Sequence, residues 1–128
     1  MIEGIEELYE RIAQGISSKI PEPWVSAQIE AVFYDDSSDY YAEYLSEANK
    51  VRSFRMDLET PRTLREMRQK FKDSGQPVWG QMRFELLPSG KFNLHWGYEN
   101  CDANGDTIFI AEEWHKRQDS FGHRVTRP

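Results

Sequence analysis

Apolar residues recur at helical spacing from the start of the chain. Ile5, Leu8, Tyr9, Ile12, Ala13 and Ile16 fall on one side, with Glu3, Glu6, Glu7 and Glu10 opposite. The pattern predicts an amphipathic first helix. Its early glutamates suit the positive end of the helix dipole, Lys19 suits the negative end, and Pro21 and Pro23 stop it. At Trp24 the period drops to two. Ala27, Ile29, Ala31 and Phe33 alternate with Ser26, Gln28, Glu30, Val32 and Tyr34, predicting a first strand over 24–34. The short polar side chains of Asp35-Asp-Ser-Ser-Asp39 bond their own backbone readily and mark a turn. A second strand follows from Tyr40 to Glu47, with Tyr40, Ala42 and Tyr44 inward and Asp39, Tyr41, Glu43 and Glu47 outward beside Glu30. A slip of one residue in register reverses that assignment. After Ala48-Asn49, the segment from Lys50 to Met56 reads as a shorter, more polar third strand.

Thr60-Pro61 signals a second helix. The Thr hydroxyl is suited to cap a free amide, and Pro at the first helical position gives up only a donor that has no partner. Leu64, Met67 and Phe71 share one face, while Arg62, Arg65, Arg68, Lys70 and Lys72 make the exposed faces basic. The helix ends at Ser74-Gly75, where glycine accepts a positive φ, and Pro77 blocks its continuation. Val78, Gly80, Met82, Phe84 and Leu86 then alternate with Trp79, Gln81, Arg83 and Glu85. Beyond Pro88-Ser89-Gly90, Phe92, Leu94, Trp96 and Tyr98 alternate with Lys91, Asn93, His95 and Gly97. Each of these strands has one apolar and one polar face, as in an antiparallel pair packed on a core from one side. The order α-β-β-β-α-β-β predicts an α+β fold, an antiparallel sheet of five to six strands with two main helices on one face. Thr107 to Ala111 is too short an apolar run to tell a last strand from the start of a helix through Trp114. Gln118 to Pro128 has no hydrophobic pattern to dock it, so the expected domain is 1–117 with a flexible tail over 118–128.

A chain of 128 residues suits one domain with a substantial core. It has no run of about 18 apolar residues, and acids stand where a signal peptide would be basic, so a cytoplasmic protein without a membrane partner is expected. The single Cys101 forbids an internal disulfide. Charge changes the picture more. Residues 1–49 carry 11 acids against Arg11 and Lys19, a net −9, whereas residues 50–128 carry a net +3 within the overall −6. An acidic first part argues against phosphate contacts there and for a basic partner, or for a solvated surface that confers solubility.

Candidate chemistry is sparse. Asp102-Ala-Asn104-Gly-Asp106 resembles the opening of a calcium loop with Glu113 at its twelfth place, but Thr107 stands where such loops need glycine. A polar surface turn explains the same residues, and whether the loop 102–113 binds calcium stays open. His95, His115, His123 and Cys101 lack the close spacing of a zinc motif. There is no nucleophile signature, no phosphate-binding glycine loop and no cofactor signature, so no catalytic, metal or cofactor residue is assigned and a binding protein is expected rather than an enzyme. Lys50, Arg52, Arg55, Arg62, Arg65, Arg68, Lys70 and Lys72 raise an alternative, a small RNA- or ligand-binding module built on the basic helix 62–72.

Leu8-Tyr-Glu-Arg-Ile-Ala13, Ile20-Pro-Glu-Pro-Trp24, Phe71 through Gly75-Gln-Pro-Val-Trp79, and Gly90-Lys-Phe92 through Tyr98 resemble, in order and spacing, the YezG-type immunity (antitoxin) proteins of bacterial polymorphic toxin systems. The similarity covers roughly residues 5–100; it departs over 35–60 and after Tyr98. It implies a small α+β protein that neutralises a cognate toxin domain by binding it, without direct nucleic-acid contact; such toxins are often nucleases. Trp24, Trp79, Gly90, Phe92 and Tyr98 match the family's marker positions and are expected to hold the fold. A nuclease must present a positive cleft, which carboxylates can cover in place of phosphates. The expected partner surface is therefore Glu30, Asp35, Asp36, Asp39, Glu43 and Glu47, with Tyr34 and Tyr41 as anchors of low conformational entropy.

Overall fold

The computed structural model describes residues 2–108. The first apolar stripe forms α1 (Ile5–Lys19), whose Ile5, Leu8, Ile12 and Ile16 are buried. Three strands follow as a meander: β1 (Trp24–Phe33), β2 (Ser38–Ser46) and the short β3 (Val51–Ser53). Helix α2 (Glu59–Ser74) then crosses the sheet and returns the chain to the far side of β1, where β4 (Gln81–Leu86) and β5 (Phe92–Gly97) form a hairpin. The sheet has five strands in the order β3-β2-β1-β4-β5, and all described pairings are antiparallel. The expected α+β architecture and element order are thus present. Ala27, Ile29, Ala31 and Phe33 of β1 meet Tyr44, Met82, Phe84 and Leu86 of its neighbours in one core with Leu64, Met67 and Phe71 of α2 and the α1 stripe. Registers Ala31↔Tyr40, Ile29↔Ala42 and Ala27↔Tyr44 place the inward residues of β2 as the alternation predicts.

Local physics accounts for the differences from the expected boundaries. The third strand pairs over three residues only, Val51–Ser53; beyond it the Phe54 amide still donates to the Ala42 carbonyl at 3.1 Å, and Phe54 and Met56 turn onto the core instead of extending the ladder. The second helix begins before Pro61, and Thr60 is not its cap. The Asp57 carboxylate accepts from both the amide and the hydroxyl of Thr60, each at 2.8 Å, so the shorter acid satisfies the orphan donor and the Thr side chain becomes a donor itself. At the other end Gly75 adopts φ 77° and its N–H bonds to the Lys72 carbonyl, the expected stop. The alternation after Pro77 fails at Trp79, which was expected on the polar side and is fully buried. The ladder with β1 runs from Gln81, and Gly80 still accepts from the Phe33 amide at 2.8 Å and donates to the Gly97 carbonyl at 2.9 Å; Trp79 lies just before these last bonds, where its indole turns into the core.

Partial burial pushes the Asp57 carboxyl up, but hydrogen bonds from the Thr60 hydroxyl and amide, the charge of Lys19 and the Glu59 amide outweigh it and leave the group below its usual value. A lowered carboxylate pKa stabilises the fold above its unfolded value and loses that contribution as pH falls through the folded value. Replacing Asp57 with alanine is expected to cost about 1 kcal/mol at neutral pH. The difference between wild type and variant in urea unfolding should hold down to pH 5 and shrink below about 4. A difference constant to pH 2.5 would show that the cap does not act through the ionised carboxylate.

Candidate functional site

The four residues Tyr34–Ser37 join β1 to β2, closed by the Tyr34 amide donating to the Ser37 carbonyl at 2.8 Å. Asp35 and Asp36 project from this turn and are exposed. The Tyr34 hydroxyl donates to Asp39 at 3.3 Å, which fixes the first acid of β2 beside the turn. Tyr41, two residues on, lies on the sheet face opposite the helices and is 44% exposed. Its phenol is pushed above the ordinary value by partial burial, then by the negative charges of Asp39 and Glu30. These three acids and two tyrosines therefore share one rim of the sheet.

The remaining predicted residues separate from that rim. Glu30, expected outward, does point away from the helices, between Tyr41 and Arg83 across the two ladders. It is only 5% exposed. As a mid-strand residue of the central strand it is hemmed in by larger neighbours on both sides, so it lies beneath the surface rather than on it. Glu43 is half-buried on the same face, in register with Gln28. Glu47 is exposed but lies past the far end of β2, about 25 Å along the strand from Asp39 at the usual rise. The eight residues are thus not one patch.

The turn instead faces a set of residues that sequence reasoning placed elsewhere. Between Asp35, Asp36 and the side of α2 runs a groove of about 410 Å³, bounded on the helix by Arg65, Gln69 and Lys72. It continues into a second hollow of about 490 Å³ that reaches Val78 and Ala103–Asn104. Arg65, Gln69 and Lys72 follow the i, i+4, i+7 spacing of one helix face, so the sequence carried the signal that they act together. Nothing local says that this face meets the hairpin turn.

At the base of the groove lies Arg68, expected on the exposed basic face and found buried at 7% exposure. Its guanidinium donates to the Trp79 carbonyl at 2.9 Å, to the Gly105 carbonyl at 2.6 Å and to Asp106 at 2.9 Å, and it lies 5.0 Å over the Phe33 ring. All of its charge is therefore used inside the protein. The Asp102–Asp106 loop is shaped for this contact. Asp102 accepts from the amides of Asn104 and Asp106 at 2.8 and 3.0 Å, and Gly105 holds φ 84° with its Cα so close to Val78 that an added Cβ would lie 2.5 Å from the Val78 carbonyl oxygen. The Thr107 amide then donates to the Phe33 carbonyl at 2.7 Å, tying the loop to the root of the acidic turn.

These bonds engage the carboxylates of the calcium-loop resemblance over the part described. Asp106 is turned inward to Arg68 and Asp102 is engaged by backbone amides; Glu113 lies outside the described residues. Among the described residues no three His, Cys, Asp or Glu side chains are grouped to hold a metal ion. Thr107 forms an isolated bridge with Cys101, and the exposed Ile108 donates its amide to the Asn100 carbonyl at 2.7 Å; the remainder of that run, 109–111, and the 118–128 tail lie outside the described residues. His95 is paired with Glu85 at 3.3 Å. The basic set that suggested RNA binding is partly spent on carboxylates: Arg52 on Glu22 at 3.4 Å, Arg62 on Glu59 at 3.3 Å, and Arg68 on Asp106. No helix among the described residues is long and apolar enough to cross a membrane.

Comparison with known proteins gives a consistent answer. Residues 56–121 match the family described as "YezG-like: Immunity protein YezG-like", which carries the likeness past Tyr98, where the family resemblance read from the sequence had stopped. A relative from Bacillus spizizenii, "Immunity protein YezG", is 25% identical over 114 residues, covering 77% of this chain and 71% of the relative. The acidic turn and β2 lie before the segment matched by the family.

Proposed function

The chain belongs to the YezG-like immunity protein family, and from that premise we propose that it acts in the cytosol by binding and neutralising a cognate toxin domain. The observation that carries a siting is the rim formed by Asp35, Asp36, Asp39, Tyr34 and Tyr41. Asp35 and Asp36 have no ion-pair partner among the described residues, so the rim keeps its charge for a partner. Two tyrosines beside it supply contact area that loses little entropy on binding. A toxin with a positive cleft, such as a nuclease, is the partner this charge suits: carboxylates occupy the positions that phosphates would take, and long-range attraction speeds the encounter. The hairpin also falls outside the segment matched by the family, which is where contacts particular to one toxin–immunity pair belong.

Reversing Asp36 and Asp39 together to lysine is expected to weaken binding to the cognate toxin domain by about tenfold or more, chiefly through slower association at low salt. Surface plasmon resonance at two ionic strengths measures both quantities. Unchanged affinity in the folded double variant would remove the acidic rim from the interface. Reading the chain as a nucleic-acid-binding module finds less support, because the basic residues that suggested it are dispersed and partly neutralised.

A further inference from the structure

The groove between the acidic turn and α2 is charged with opposite signs on its two walls. Asp35 and Asp36 stand on one side, Arg65 and Lys72 on the other, all exposed, and no described ion pair joins the two sides. The floor is Phe33 with the Arg68 guanidinium over it, and Asp106 cancels that charge at 2.9 Å. The charges without an ion-pair partner among the described residues are at the walls, where Arg65 also donates to the neutral Tyr40 hydroxyl at 3.5 Å. A polyanion such as RNA is repelled by the aspartates, and a uniformly basic surface is repelled by Arg65 and Lys72. An occupant that satisfies both walls must carry both signs a few ångströms apart, which a protein segment does readily. At about 410 Å³ the groove has the volume of a small-ligand site, enough for a few side chains.

We propose that this groove receives a protruding loop of the toxin, which sets a basic side chain against Asp35 and Asp36 and an acidic one against Arg65 and Lys72. The inference rests on the toxin-neutralising reading above and makes the interface two-sided rather than a simple acid-on-base cover. Such an arrangement serves recognition. A partner with the right net charge but the wrong order of signs meets like charges on both walls, so the pair of walls fixes register and rejects near relatives of the toxin.

The test uses the full chain and a catalytically silenced form of the cognate toxin domain. Three variants are compared by calorimetry: Asp35→Lys with Asp36→Lys, Arg65→Glu with Lys72→Glu, and Lys91→Glu at the distant hairpin tip as control. Each groove pair is expected to weaken binding by about tenfold or more, and the control by less than about twofold. Hydrogen exchange on the wild-type complex should protect residues 34–38 and 65–72 together, a readout that does not depend on any variant folding. If the aspartate pair matters while the Arg65 and Lys72 pair does not, or if 65–72 gains no protection, the groove is not the seat of the loop and a one-sided acidic surface remains. If the wild-type chain does not bind the toxin domain at all, the neutralising reading fails and the groove proposal falls with it.

Discussion

Replacing Arg68 with methionine is expected to cost roughly 3–5 kcal/mol of folding stability, a large fraction of the total for a domain of this size. The reason is what the change leaves behind. The Arg68 and Asp106 side chains are 8% and 9% exposed, so removing the guanidinium strands a carboxylate where water does not reach it. The carbonyls of Trp79 and Gly105 lose a charged donor at the same time. Combining Arg68→Met with Asp106→Leu should cost less than the two single changes summed, since the double variant buries no orphan charge; the two carbonyls remain unsatisfied, so recovery is incomplete. Urea denaturation of the four proteins gives the coupling. A cost below about 1 kcal/mol for Arg68→Met would mean that the pair is not buried in solution. Because the same guanidinium forms the groove floor, loss of the pair should also loosen the loop at Gly105 relative to the acidic turn.

Trp79→Ala is expected to be comparably severe, about 3–5 kcal/mol, from lost transfer energy and the cavity left behind. The indole is fully buried and stacks on Trp96 with centroids 4.7 Å apart, while Phe33 and Phe71 meet it edge-on at 5.5 and 5.6 Å. Few positions join so many elements. Phe33 belongs to β1, Phe71 to α2 and Trp96 to β5, so the cavity would open where the helix, the central strand and the hairpin converge. Trp79→Phe should cost far less. It keeps an aromatic face for stacking, and the buried indole N–H that it deletes finds no acceptor among the described residues, so its removal relieves about 1–3 kcal/mol of desolvation against the smaller cavity. Equal losses for the two variants, measured as shifts in unfolding midpoint at constant slope, would contradict this packing.

The elements themselves were legible because their causes are local. Ile5, Leu8, Ile12 and Ile16 repeat at the helical period, Ala27 to Phe33 at the strand period, and Gly75 with Pro77 ends a helix by steric rules that involve only near neighbours. Even the inward set of β2 followed from alternation, since a shift by one residue would have exposed Tyr44 and buried acids. The second helix start was misassigned for a reason equally local in scale: Asp57 and Thr60 both have capping chemistry, and which one accepts depends on the entry angle of the chain.

Charge at the candidate site was another matter. A run of basic residues on α2 reads as one polar face, yet Arg68 leaves that face because a loop more than thirty residues later brings Asp106 and the Gly105 carbonyl within reach. The positive φ of Gly105 follows from the approach of Val78, and no feature of Asn104-Gly105-Asp106 announces that neighbour. Glu30 shows the same limit. Its period places it correctly on the helix-free face, but its burial comes from occupying the central strand, which depends on α2 carrying β4 to the far side of β1.

By itself, then, the sequence determined the element order, the inward faces and the likeness to a family of immunity proteins, all carried by periodicity and by turn residues acting over a few positions. The tertiary structure alone decided which charges are spent and which are free. A charge is neutralised or left for a partner by whatever lies within a few ångströms of it, and here those neighbours come from distant parts of the chain.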